Sequence, residues 1–184
     1  VDDLFKAAAD LQDGLDRFGL RNCIIGGLTL QAWGELRLTR DADFSVFTGF
    51  VDEERKVNQI LTLVTPRHSN AMGFALTNRV ILGLASTVPV DIGLAAFDYE
   101  ANMIDRSVDF DFGIGRTLRI CSANDLVIMK MFAGRDQDYA DIVGVLKVSK
   151  DLLDWNIIEA ELSPLLEAID SQDRLDWLFQ QREK

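Results

Sequence analysis

Cys23-Ile24-Ile25-Gly26-Gly27 and Asp41-Ala42-Asp43-Phe44-Ser45-Val46-Phe47 are the stretches whose reading decides the fold. In the first, an apolar run ends in a glycine pair. In the second, two carboxylates separated by one residue enter another apolar run. A strand over 41–47 places Asp41, Asp43 and Ser45 on one face and Ala42, Phe44 and Val46 on the other, because successive side chains alternate. Two carboxylates sharing a face are costly without a cation. At about 4 Å and an effective dielectric of about 20 their repulsion is on the order of 4 kcal/mol. A divalent metal would turn that penalty into a binding site. The glycine pair closes the first strand and opens 28–34, which reads as a short helix. A glycine turn at that point lets backbone N–H groups approach a phosphate closely. Gly26, Gly27, Asp41 and Asp43 together form the equipment for handling a nucleoside triphosphate.

Working outward, Leu4, Ala8, Leu11, Leu15 and Phe18 recur at helical spacing, with Gly19 as terminator. A helix is expected over 52–64 and a polar loop over 66–71. Short strands are expected over 74–76 and 79–85, as a hairpin around Thr77-Asn78. In the run 88–94 Val88, Val90, Ile92 and Leu94 are apolar, and Asp91 projects to the face they avoid. Asp98 is the competing carboxylate, in a loop-like setting. A short helix is expected over 99–106. The stretches 108–112 and 117–120 read as a hairpin around Gly113-Ile114-Gly115. Ser122 and Asp125 resemble a capping box at the start of a helix that Gly134 interrupts. Helices are expected over 138–148, 149–166 and 168–180, the last two broken near Pro164. The sum is an α/β (α+β) chain: a small mixed sheet with packed helices over 1–120, then a helical region over 121–184.

Other polar residues are less telling. Thr29 is placed to offer a hydroxyl, and Arg37 and Arg40 flank the carboxylates. His68 stands alone and reads as a surface histidine. Cys23 and Cys121 read as buried thiols, and with one histidine they give no zinc spacing. The 184 residues are 48% hydrophobic, which supports a packed core. No apolar run reaches membrane-spanning length and no signal-peptide pattern opens the chain, so a cytoplasmic protein is expected. The formal net charge of −11 weighs against indiscriminate binding to a polyanion.

The glycine pair followed by Asp-x-Asp resembles the signature of the DNA polymerase β-like nucleotidyltransferase superfamily. Within it, 34–44 looks most like the bacterial AbiEii-type and related nucleotidyltransferases. The stretch from Asp125 to Ile142, with Lys130, Arg135, Asp138 and Asp141, resembles a second segment of that group. The resemblance implies a nucleotidyltransferase-type sheet. It implies Asp41, Asp43 and Asp91 as catalytic carboxylates holding Mg2+, with Mn2+ as the alternative. It implies Gly26, Gly27, Lys130 and Arg135 as contacts to a nucleoside triphosphate. The implied reaction moves a nucleoside monophosphate to a hydroxyl acceptor, with tRNA as one candidate acceptor and a toxin–antitoxin pair, hence an antitoxin protein partner, as one setting. A non-catalytic nucleotide- or partner-binding protein on the same scaffold is the rival reading. Without the resemblance, Lys130 reads equally as a solvated face, and Asp138 and Asp141 as helix caps.

Overall fold

The computed structural model describes residues 2–183. Its elements in chain order are α1 (Asp2–Arg17), β1 (Asn22–Ile25), α2 (Leu30–Trp33), β2 (Ala42–Phe47), α3 (Glu53–Leu61), β3 (Thr65–Pro66), α4 (Ala71–Asn78), β4 (Val80–Ala85) and β5 (Val88–Ala95). There follow α5 (Asp98–Asp105), β6 (Val108–Asp111), β7 (Thr117–Ile120), α6 (Ala123–Ala133), α7 (Asp136–Ser149), a 3-10 turn at Lys150–Leu152, α8 (Trp155–Glu167) and α9 (Asp173–Arg182). The fold is mixed α/β, as expected from the sequence. The chain divides into two compact units. One is a sheet unit, running to Leu28 and then over Leu38–Cys121. The other is a helical unit that joins Thr29–Arg37 to the chain from Ser122 onward.

Among the described residues the sheet has seven strands in the order β3-β4-β5-β2-β1-β7-β6. The pairs β2–β5 and β1–β7 are parallel and the others antiparallel. Alternation sets its two faces. Ile24, Phe44, Ile92 and Ile81 lie side by side across four strands and are all buried. Their sequence neighbours Ile25, Asp43, Asp91 and Leu82 form the matching row on the opposite face and are all half-buried. Helix α1 packs against β1, β4, β5 and β7. It does so through Leu4, Phe5, Ala8, Leu11 and Leu15, at the three- and four-residue spacing of one helical face. Gly19, at φ +67°, then reverses the chain into β1.

Three local expectations are corrected. Residues 74–76 are helical, in α4, rather than a strand. Asn70 caps this helix, its side chain accepting from the Gly73 N–H at 3.2 Å, and Arg79 ends it in the left-handed region at φ 56°. Eight residues with apolar groups on every side carry too little periodicity to tell helix from strand. Second, α8 runs through Pro164 to Glu167. The helix loses the hydrogen bond to the Ala160 carbonyl, but Ile158, Leu162 and Leu166 are fully buried on one face and hold it. Third, the loop expected from 66 begins instead with β3, which adds an edge strand to the sheet beside β4.

Candidate active site

The half-buried row on the open face contains the chemistry. On parallel strands β2 and β5, Asp43 and Asp91 are direct partners. Adjacent strands lie about 4.8 Å apart, so the two carboxylates leave the same face as neighbours. Ile25 of β1 lies opposite Asp43 on the other side. The chain turns at Gly26, with φ +70°, right after Ile25. A Cβ at Gly26 would overlap the Oδ2 of Asp43 and stand 3.0 Å from its Cγ. The carboxylate of Asp43 therefore lies in the space that a side chain would fill. Only glycine suits both that contact and that φ. Gly27, next in the turn, is buried.

Asp41 lies just before β2, two residues ahead of Asp43, and is exposed. Its Oδ1 accepts from the Thr39 hydroxyl at 2.7 Å. Asp91 forms an ion pair with Arg67. Asp98, the competing carboxylate, is exposed at the start of α5, outside this row. Among the described residues, no three His, Cys, Asp or Glu side chains are gathered so as to hold a metal ion as they stand. The donor set still suits a hard divalent cation: all-oxygen and anionic, with Asp43 and Asp91 brought side by side by the sheet register.

The glycine turn differs from the expected cradle in one respect. The helix after it is the single turn α2, which starts at Leu30 rather than Leu28. One turn of helix gives little dipole. Backbone groups of the turn itself are what it can offer an anion. Thr29 is fully buried, so its hydroxyl does not face solvent.

Lys130 and Arg135 belong to the helical unit. The solvated-face reading does not describe Lys130, whereas the capping reading holds for Asp138, whose Oδ2 accepts from the Arg135 N–H at 3.2 Å at the start of α7. The Lys130 ammonium is buried and donates to Asp138 Oδ1 at 3.1 Å and to Asp141 Oδ2 at 2.6 Å. The other oxygens of these carboxylates are taken too. Arg135 Nε donates to Asp138 Oδ2 at 2.7 Å and Gln137 Nε2 to Asp141 Oδ1 at 3.0 Å. Arg37 Nε stands 3.7 Å from Asp141 Oδ1. The Arg135 side chain is 77% exposed even so. The signal for this arrangement lay in α6: Leu126, Val127, Ile128 and Met131 are all fully buried, and a helix apolar over most of its circumference buries its polar residues as well.

Burial alone would raise the Asp138 carboxyl, but hydrogen bonds from Arg135 and Lys130 outweigh it and hold the group below its ordinary value near 3.8. A carboxyl depressed in the folded state contributes stability above its unfolded pKa. That contribution disappears as pH falls through the folded value. Urea midpoints measured between pH 6 and pH 2.5 should therefore fall more steeply below pH 4 for the wild type than for Asp138→Asn. Parallel curves would show that the carboxyl is not held down.

No protein-family model matches the chain, and no curated protein sequence does. Solved structures do. An antigenic nucleotidyltransferase-like protein from Paracoccidioides brasiliensis matches over 94% of this chain and 91% of its own, at 14% identity and a TM-score of 0.53. The antibiotic-resistance factor ANT(2'')-Ia in solution matches over 97% and 91%, at 15% identity and a TM-score of 0.48. Its crystal structure with adenylyl-2''-tobramycin matches over 95% and 94%, at 14% identity and a TM-score of 0.44. The first of these supports the nucleotidyltransferase-type fold.

Proposed function

We propose that the protein is a Mg2+-dependent nucleotidyltransferase, moving a nucleoside monophosphate from a nucleoside triphosphate to a hydroxyl. The observation that carries this reading is the register of Asp43 against Asp91, with Gly26 backed onto Asp43. A fold shared with a nucleotidyltransferase-like protein supports it. Asp41, Asp43 and Asp91 would hold Mg2+, or Mn2+, which when bound offsets the charge on the transferring phosphoryl group. Gly26 leaves its side-chain space to the Asp43 carboxylate, so it is the backbone of the Gly26–Gly27 turn that would meet phosphates. In this reading the triphosphate lies on the β1 flank of Asp43 and the acceptor on the β5 flank. There Asp91 takes the proton of the acceptor hydroxyl. The hydroxyl oxygen bonds to the α-phosphorus, the bond from that phosphorus to the bridging oxygen breaks, and pyrophosphate leaves with the electron pair. Arg135 is the cation that the family resemblance implies for the triphosphate; within the helical unit, Lys130 holds Asp138, which in turn holds the Arg135 guanidinium.

A tRNA end and an antitoxin partner belong to the finer reading that the AbiEii-type resemblance implies. The charge of −11 favours a compact hydroxyl compound over a long polyanion. The test is incubation with each labelled nucleoside triphosphate, Mg2+, and either total RNA or a cell-extract small-molecule fraction. Label should appear on one acceptor class with release of pyrophosphate, and Asp43→Ala should stop both. Nucleotide binding without turnover on any acceptor would favour the non-catalytic reading.

A further inference from the structure

The pairing of Arg67 with Asp91 is fixed by the sheet. Strand β3 pairs with β4 through Thr65↔Leu84 and Pro66↔Gly83. The next residue continues the ladder, the Arg67 N–H donating to the Leu82 carbonyl at 2.9 Å. Leu82 is the partner of Asp91 on β5, and Asp91 of Asp43 on β2. Leu82, Asp91, Asp43 and Ile25 thus occupy one row across four strands, and Arg67, just past the end of β3, stands beside Leu82 at its edge. The guanidinium reaches over Leu82 to the Asp91 carboxylate. Both side chains are about two-fifths exposed, so the pair is open to solvent and to exchange.

We infer that Arg67 is the resident counter-ion of Asp91, and that loading the site with a divalent metal exchanges one cation for the other. The inference rests on the proposed nucleotidyltransferase reading. It accounts for two observations together: the backbone brings Asp43 and Asp91 into register, yet the Asp91 carboxylate is paired with a guanidinium and, among the described residues, no three acidic side chains are gathered at one point. In the free protein the guanidinium offsets the like-charge repulsion between Asp43 and Asp91. A metal that needs Asp91 must compete with it. Arg67 is a positioning residue in this account, since it acts through Asp91.

The test measures Mn2+ binding to the whole protein by electron paramagnetic resonance of the free ion, with no nucleotide and no turnover. Arg67→Ala should bind Mn2+ roughly three- to tenfold more tightly than wild type, the range expected when an exposed monovalent competitor is removed from a divalent site. Arg67→Lys, which keeps the charge, should stay within about twofold of wild type by the same comparison. In an Asp91→Asn background, Arg67→Ala should change nothing, because the carboxylate for which the two cations compete is gone. Equal affinity in wild type and Arg67→Ala, with Asp43→Asn still abolishing binding, would overturn the counter-ion inference and leave the metal site standing. A gain from Arg67→Ala that persists without Asp91 would overturn it as well, reducing Arg67 to general surface charge. Mn2+ binding that survives Asp43→Asn, or is absent from wild type, would overturn the nucleotidyltransferase reading together with this one.

Discussion

Gly26→Ala should remove nucleotidyl transfer almost as completely as loss of Asp43 itself, while leaving a folded protein. Two separate consequences follow from adding one methyl group. The first is backbone strain: at φ +70° a left-handed alanine costs roughly 1–2 kcal/mol. The second is steric. The Cβ would occupy the volume of the Asp43 carboxylate. That carboxylate is the far end of a short side chain, so it rotates away rather than forcing the strands apart. Displacing a reacting group by about 1 Å costs on the order of a hundredfold in rate. Gly19 supplies the control. It has nearly the same φ, +67°, but a Cβ there meets nothing within 4 Å. Gly19→Ala should lose the same stability in urea titration and keep its activity. If the two variants lose activity equally, or if neither does, the contact between Gly26 and Asp43 has no functional meaning.

The same contrast explains what the sequence could convey. Features built from neighbouring residues were legible. The apolar run into Gly26, the alternation through Asp43 and Asp91, the Ser122 cap and the Gly134 break each need only a few consecutive residues, and all are in place. Ser122 Oγ accepts from the Asp125 N–H at 3.1 Å, and Gly134 ends α6 at φ 62°. Features that depend on register across several strands were not legible. The partnership of Arg67 with Asp91 needs β3, β4 and β5 to be aligned first, and β3 is two residues long. The segment 29–37 likewise gives no sign of joining the helical unit. It is held there by contacts more than a hundred residues away: Ser149 Oγ donates to the Trp33 carbonyl at 2.7 Å, and Lys147 pairs with Glu35 at 3.1 Å. The glycine Gly144 leaves room for that approach, since a Cβ there would stand 3.2 Å from the Glu35 nitrogen.

Lys130→Ala should destabilise the protein by roughly 3 kcal/mol, the lower end of the range for removing one partner of a buried ion pair. For an exposed ammonium the change would be small, as it is for surface pairs in general. Lys130 is 7% exposed, however, and its two carboxylate partners are 2% and 7% exposed. Truncation leaves Asp138 and Asp141 without their shared cation. The loss stays at the lower end because each keeps another donor, Arg135 on Asp138 and Gln137 on Asp141. About 3 kcal/mol is a large share of the 5–15 kcal/mol that holds a typical domain folded. Lys130→Met combined with Asp138→Asn and Asp141→Asn should recover most of it, because amides need no counter-charge. Urea unfolding of wild type, Lys130→Ala and the triple variant decides the stability part, and a Lys130→Ala loss under about 1 kcal/mol would show that the network is not buried in solution. The functional part is separable. If Lys130 serves the triphosphate only by fixing Asp138 and through it Arg135, then Arg135→Ala and Lys130→Ala should not add in a triphosphate-binding titration. Each should weaken binding by about tenfold, and the pair by little more than one of them. Additive losses would mean that the two cations act on phosphate independently, and the chain of positioning from Lys130 to Arg135 would have to be given up.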